Sequence, residues 1–261
     1  MKVIMSLSLK SSDNLLEAVT NYWDNRASSY SCANQEELNN KKRIIWQNLL
    51  LSHAPEEKTL RVLDIGTGPG FFAIIMAQAG HVVTAVDATA AMLMQAKNNA
   101  AHYNVNIDFV ESDVHTLPFD EYSFDLIITR NVTWNLKKPQ DAYLEWYRLL
   151  KKGGRLINFD ANWYLHLFDD VFKEGFEQDR RNTVNLGISD HYANTDTVAM
   201  KKIAEVLPLS RKLRPQWDVV KLLDIGFSQC LVDTTISEKI WDDEEKVNYR
   251  STPMFMIVAE K

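Results

Sequence analysis

The sequence predicts a doubly wound α/β fold, a mostly parallel sheet with helices on both faces. Three observations carry this. Short apolar runs bounded by glycine alternate with segments of helical spacing from residue 61 to residue 160. The first run, RVLDI, opens directly into a turn with three glycines, GTGPG. Finally, the last two apolar runs lack the spacing of a full crossover helix, which implies that the sheet closes with an antiparallel strand.

Taken in order, residues 13–30 and 34–51 show helical spacing, with Leu38, Ile45, Trp46 and Leu49 recurring at threes and fours. RVLDI (61–65) is the first strand, FFAIIMAQAG (71–80) a helix ending at Gly80, and HVVTAVD (81–87) the second strand. AMLMQAKNNAA is again helical. A third strand follows from Asn106 to Val110, and FDLIITR (124–130) is the fourth. QDAYLEWYRLLKKGG reads as a helix stopped by Gly153 and Gly154, and RLINFD (155–160) as the fifth strand. Residues 161–216 are rich in aromatics and histidine and do not continue the alternation, so they read as an insertion over the carboxyl edge of the sheet. SQCLVDT (228–234) and PMFMIVAEK (253–261) complete seven strands. Apolar strands covered on both faces require right-handed crossovers, which give the doubly wound topology. The expected organisation is a helical cover (1–55), a ligand-binding domain (56–160 and 217–261) and a lid insertion (161–216).

Composition narrows the function classes. The net charge of −6 argues against a dedicated nucleic-acid binder, which usually carries a basic excess. Two cysteines, Cys32 and Cys230, allow no disulfide framework beyond one bridge, and no zinc-type spacing appears, so no metal is expected. The start, MKVIMSLSLKSSD, reads as a terminus rather than a signal peptide, because Lys10 ends its apolar run and no cleavage site follows. No uncharged apolar stretch approaches the roughly 18 residues of a membrane span. A soluble cytoplasmic protein is the expectation; a homodimer stays open.

The glycine turn sits where open α/β sheets bind ligands, at the carboxyl end of the first strand. Its spacing is G-x-G-x-G (Gly66, Gly68, Gly70), and Phe71 occupies the place of the third glycine in a dinucleotide turn. Asp64, directly before the turn, would disfavour a pyrophosphate but accept hydrogen bonds from a cationic amine. Asp87, ending the second strand, could accept both hydroxyls of a ribose. The same letters recur at Leu223–Gly226, but no further glycines follow. There Gly226 fits a helix C-cap, and Asp224 is expected on a helix surface.

VLDIGTGPG, TAVDATAAML, FVESDVHTLPF, SFDLIITRNVTWNL and LLKKGGRLINFD together resemble the successive motifs of class I S-adenosylmethionine-dependent methyltransferases. LPFDEYSFDLI is most similar to the ubiquinone/menaquinone-type small-molecule branch. The resemblance implies a Rossmann-like domain that binds S-adenosylmethionine and releases S-adenosylhomocysteine. It implies that Asp64 and Gly66 hold the methionine part, that Thr67 also belongs to the cofactor site, and that Gly68 and Gly70 admit the ligand to the backbone. Asp87 would bind the ribose, Ala88 and Met92 flank the adenine, and Asp113 and the Val114 amide meet its edge. Arg130 and Asn131 would lie nearest the methyl group. Met92 reads equally as helix packing, and Asp113 also as a turn former.

Methyl transfer is an in-line displacement in which alignment alone can remove about 7–11 kcal/mol of barrier, so no catalytic dyad is obligatory. Arg130-Asn131-Val132-Thr133-Trp134 lacks the prolines of nucleobase-directed members, which points to a small-molecule acceptor. Tyr22, Arg26 and Tyr30 recur at i, i+4, i+8 on one helix face and could close over the cofactor, although ordinary packing explains them equally. Trp134, Trp163 and Tyr164 would line the acceptor pocket. Asp160, His166 and His191 are the candidate proton acceptors, and His115 a further lining residue, while a lone histidine is more often structural. The alternatives are an RNA- or protein-directed methyltransferase, an NAD-dependent oxidoreductase, which Phe71 and Asp64 disfavour, and a noncatalytic scaffold.

Overall fold

The computed structural model describes residues 12–193 and 195–261. The terminal reading of MKVIMSLSLKSSD therefore falls largely outside the described residues.

The first element is one helix, α1 (Ser12–Leu38), not a break near residue 31 followed by a second helix. No glycine or proline interrupts it, and Ser31 points inward with 2 % exposure, where it meets Asn99 Nδ2 at 3.2 Å. Helix α2 (Lys42–His53) follows and buries Trp46 edge-on against Phe72 and Phe159, with ring centres 5.1 and 5.0 Å away.

Next come β1 (Arg61–Ile65), α3 (Phe71–Gln78), β2 (Val82–Asp87), α4 (Ala90–His102), β3 (Asp108–Glu111) and β4 (Phe124–Arg130). Helix α5 (Pro139–Leu149) ends earlier than its glycines suggest. Leu150 already pairs with Phe124, so β5 (Leu150–Asp160) takes in the KKGG segment, and a register shift separates that pair from Leu126–Arg155. Tertiary pairing overrides helix propensity here.

The insertion holds α6 (Asp170–Leu186) and α7 (Thr197–Ala204), and α8 (Gln216–Ile225) leads into β6 (Gln229–Asp233). Two short helices, α9 (Ile236–Ile240) and α10 (Asp243–Asn248), precede β7 (Phe255–Glu260), where the sequence had suggested no room for a crossover. Gly226 caps α8 in the left-handed conformation at φ 119°, and Asp224 is exposed, as expected.

The seven strands run in the order β3-β2-β1-β4-β5-β7-β6. β7 is antiparallel to both neighbours, β5 and β6, so the antiparallel strand lies one place in from the edge. Its inward residues are apolar and buried on both faces, from Phe255 to Ala259. The order reverses between β1 and β4, and a crevice opens there at the carboxyl ends. Helix α1 lies across it.

Candidate functional site

The crevice encloses about 110 Å³, less than a full small-molecule site, and opens to solvent. Its floor is the glycine turn. Thr67 N donates to Val86 O at 2.9 Å and Gly70 N to Thr67 O at 3.0 Å, which folds the chain back between β1 and β2. Gly66, at φ 63°, is tight as well as left-handed: a Cβ there would stand 2.4 Å from Val132 Cγ2. Around Gly68, by contrast, a Cβ would meet Tyr30 at 3.6 Å and the Met92 sulfur at 4.0 Å, so it would occupy space that now belongs to the crevice.

Asp64 sits beneath the turn, 2 % exposed. Its Oδ2 accepts from Thr67 Oγ1 at 2.6 Å and from Ala73 N at 3.0 Å. Burial pushes this carboxyl up to about 7 against those stabilising hydrogen bonds. Asp64, Thr67 and Gly70 thus shape the turn from behind, while Gly66 and Gly68 line the crevice.

Asp87 lines it too. Its Oδ2 accepts from Gly68 N at 2.9 Å and its Oδ1 from Thr89 N at 3.0 Å, which fixes the carboxylate and leaves lone pairs on both oxygens for a diol. Burial raises its pKa despite these hydrogen bonds. Ala88 and Met92 stand beside it. At the far end lie Asp113, Val114 and His115. Asp113 is gripped by the His115 ring and by Lys137 Nζ at 2.8 Å, which outweigh partial burial and hold its carboxyl well below the ordinary range. Lys138 N donates to His115 Nε2 at 3.3 Å, so the Nδ1 proton faces Asp113. His115 therefore positions Asp113 at the crevice wall.

Arg130 and Asn131 end β4 at the opposite extremity. The Arg130 guanidinium is buried over the Phe71 ring at 4.4 Å and ion-paired with Glu37 at 2.7 Å, tying α1 to the sheet. Asn131 adopts φ 60°, and its buried Oδ1 has no hydrogen-bond partner. An unpartnered acceptor held in a strained backbone at a crevice wall is a feature that a bound donor would satisfy.

Helix α1 forms the roof. Leu15, Val19 and Trp23 recur at four-residue spacing and face the crevice, with Leu16, Thr20 and Tyr30. Trp23 and Tyr30 rings lie 5.6 Å apart. Sequence reasoning chose the neighbouring stripe. Tyr30, seven residues and nearly two full turns beyond Trp23, does line the crevice, but Tyr22, about 100° around the helix from Trp23, and Arg26 lie on the adjacent stripe beside Tyr164 of the insertion. The apolar i, i+4, i+8 series at Leu15, Val19 and Trp23 was the overlooked signal. The roof is anchored at both ends: Ala91 N donates to Asp24 Oδ1 at 3.3 Å, and Gln35 Nε2 donates to Asn99 Oδ1 at 2.6 Å. Asn99 in turn donates to Pro69 O at 2.9 Å in the glycine turn.

The candidate proton acceptors do not converge on the crevice. Asp160 is fully buried and committed: Arg214 Nη1 lies 2.7 Å from its Oδ2, which also accepts from Trp134 N and Thr133 Oγ1. Its Oδ1 accepts from Ala161 N and from Trp163 Nε1 at 2.9 and 3.0 Å. It is a structural anion with no oxygen available to a substrate. His166 stacks on Phe176 at 4.0 Å, and burial lowers its pKa to about 4. His191 meets the Tyr249 hydroxyl at 3.2 Å on the insertion's inner side. Trp134 stacks on Tyr164 at 5.1 Å and donates from Nε1 to Asn131 O at 2.9 Å, so it backs the crevice wall. Trp163 packs edge-on against Tyr249 at 5.5 Å.

Among the described residues no cluster of histidine, cysteine and acids could hold a metal ion, and no helix is long and apolar enough to cross a membrane. Residues 63–158 match the family described as a methyltransferase domain. The chain is 31 % identical over 129 residues to a ubiquinone biosynthesis O-methyltransferase of Coxiella burnetii, covering 48 % of this chain and 55 % of that protein. It is 30 % identical over 151 residues to a demethylmenaquinone methyltransferase of Renibacterium salmoninarum, covering 58 % and 62 %. The chain thus spans little more than half the length of these curated relatives. A solved phosphoethanolamine N-methyltransferase 2 of Haemonchus contortus, in complex with S-adenosyl-L-methionine, shares the fold, with a TM-score of 0.58 at 17 % identity over 83 % of this chain and 52 % of that one.

Proposed function

We propose, on the premise that residues 63–158 are a class I S-adenosylmethionine-dependent methyltransferase domain of the ubiquinone/menaquinone-type branch, that the chain transfers a methyl group from S-adenosylmethionine to a small-molecule acceptor. The observation that carries this is the crevice itself. One continuous wall presents an acid for a ribose (Asp87), an unpartnered amide oxygen for an ammonium (Asn131) and a gripped acid beside a backbone amide for a purine edge (Asp113, Val114).

When bound, S-adenosylmethionine supplies a methyl group activated by a sulfonium. The residues of this chain would then bind and align. Asp87 would accept from the ribose hydroxyls, Ala88 and Met92 would flank the base, and Asp113 would accept from its amino group. Gly66 and Gly68 let the ligand approach the backbone. Asn131 Oδ1 would face the methionine ammonium, with Asp64 adding its charge from behind the turn, while Arg130, held by Glu37, gives the same end a fixed positive charge. Leu15, Val19 and Trp23 would exclude water from above. Residues 1–55 and 161–216 serve in this reading as cover and lid, with Tyr22, Arg26, Trp134, Trp163 and Tyr164 on the acceptor side.

Neither Asp160 nor His166 nor His191 lines the crevice, so alignment of donor and acceptor carries the transfer in this reading. The two unpaired cysteines support a cytoplasmic location. The experiment is calorimetry of the full chain with S-adenosylhomocysteine, followed by transfer of labelled methyl into a metabolite extract. Absence of binding, or binding that Asp87→Ala leaves unchanged, overturns the reading.

A further inference from the structure

Behind the Asn131–Trp134 wall, α1 and the insertion enclose a second set of polar groups that the cofactor site does not use. The phenol of Tyr164 lies deep in the protein, within electrostatic reach of Tyr22, Arg26 and Tyr249, and burial pushes its pKa upward. Tyr192 and Tyr249 pack beside it, their rings 6.1 Å apart, and Tyr249 lies within electrostatic reach of Tyr30 on the crevice wall. Tyr22, Trp163 and Tyr164 pack around Trp134, whose indole nitrogen bonds Asn131. This cluster of side chains thus adjoins the end of the crevice where the methyl group would sit.

Its charge is unbalanced. The other arginines drawn into the body of the protein have an acid: Arg130 has Glu37, Arg180 has Asp190, and Arg214 has Asp160 and Asp218. Arg26 has none among the described residues, although its Nε is shut off from solvent and has no hydrogen-bond partner. The nearby acids are already engaged, Asp160 by Arg214, Asp190 by Arg180 and Asp179 by the Ser251 amide at 2.8 Å. The hydroxyls of Tyr22, Tyr164 and Tyr192 have no protein partner among the described residues. An aromatic cage of this kind could hold a cation through its ring faces, but a guanidinium without a counter-ion at the same place opposes one. Leaving such a charge half-buried and unpaired is costly, and an anion is the group that relieves it.

We propose that this cluster forms the acceptor subsite and that the acceptor carries an anionic group, a carboxylate or a phosphate, seated on Arg26 and the phenols of Tyr22 and Tyr164. The proposal rests on the methyltransferase reading for the word acceptor, but the anion site itself does not.

The test uses the full chain with inorganic phosphate and, separately, acetate as probes, read by thermal shift with and without saturating S-adenosylhomocysteine, with chloride as the ionic-strength control. One probe should stabilise the protein saturably, and Arg26→Gln should weaken that binding at least tenfold while leaving S-adenosylhomocysteine affinity unchanged. Arg26→Lys, which keeps the charge, should retain part of it and guards against a folding defect in Arg26→Gln. Preference for phosphate or for acetate identifies the anionic group. Saturable stabilisation by neither probe, or an unaltered response in Arg26→Gln, overturns the proposal. Labelled methyl appearing only in the cationic and neutral fractions of an extract overturns it as well. Failure to bind S-adenosylhomocysteine would instead sink the methyltransferase reading, and the probe titration without it still decides the anion site.

Discussion

Arg214 Nη1 stands 2.7 Å from Asp160 Oδ2, with the two side chains only 1 % and 0 % exposed, and the same guanidinium reaches Asp218 Oδ1 at 2.7 Å. A residue at the end of the insertion is thereby fixed to the tip of β5 and to α8. Arg214→Met would strand two buried carboxylates, a loss of about 3–5 kcal/mol. At roughly 2–4 °C per kcal/mol for a chain of this size, the melting midpoint should fall by about 6–20 °C. Adding Asp160→Asn and Asp218→Asn should restore part of it. A midpoint of Arg214→Met within 2 °C of the parent, on the order of the smallest resolvable loss, contradicts this account.

Asp64 makes both stability and binding depend on pH. Its folded-state pKa, about 7, lies above the ordinary 3.8, so between those values the folded chain holds a proton that the unfolded chain lacks. This group's contribution is complete below about 4 and declines as pH rises toward 7. A cationic ammonium held in the crevice would favour the carboxylate of Asp64 through the turn that separates them, so cofactor binding should release a proton and tighten from about pH 6 to about pH 8. Calorimetry in buffers of different ionisation heat measures that release, and Asp64→Asn should abolish it.

Gly66→Ala meets both a left-handed backbone and Val132 Cγ2 at 2.4 Å. Cofactor affinity should drop at least tenfold with the sheet intact by circular dichroism, an effect of about 1.4 kcal/mol or more. Gly66→Ala with Val132→Ala should recover the steric part only, because the φ strain persists.

Asp87→Asn keeps the shape but removes the charge, and it replaces one of two acceptor oxygens with a donor. Loss of a charged hydrogen bond costs about 1.5–3 kcal/mol, so affinity should fall roughly 10- to 150-fold. Quenching of Trp23, which lines the crevice, gives the titration signal.

Hydrogen exchange should show where the cover closes. Amides from 15 to 30 should slow when S-adenosylhomocysteine binds, whereas those of β7, sealed between β5 and β6, should not change. Equal protection with and without ligand would mean that α1 is a fixed wall.

The sheet and the glycine turn were legible because their signals are local: apolar runs of strand length, glycines at a fixed spacing, and acids at strand ends. Asp87 and Asn131 are where the strand boundaries put them. Asp160 was misjudged for a reason the sequence hides, since its partner Arg214 is 54 residues away and arrives through the irregular insertion. Arg26 and Tyr22 share a spacing with Tyr30 but do not line the crevice with it, because only the packing of α1 decides which stripe faces the ligand site. The helix-like reading of LLKKGG failed similarly, as pairing with β4 captured residues whose own preference is helical.

Helix α1 has a mechanical consequence. One continuous rod carries Trp23 and Tyr30 on one stripe and Tyr22 and Arg26 on the next, so any displacement of α1 would move both walls together. Such a displacement would have to break the Arg130–Glu37 and Gln35–Asn99 contacts, so weakening either contact should be felt on both sides of the helix.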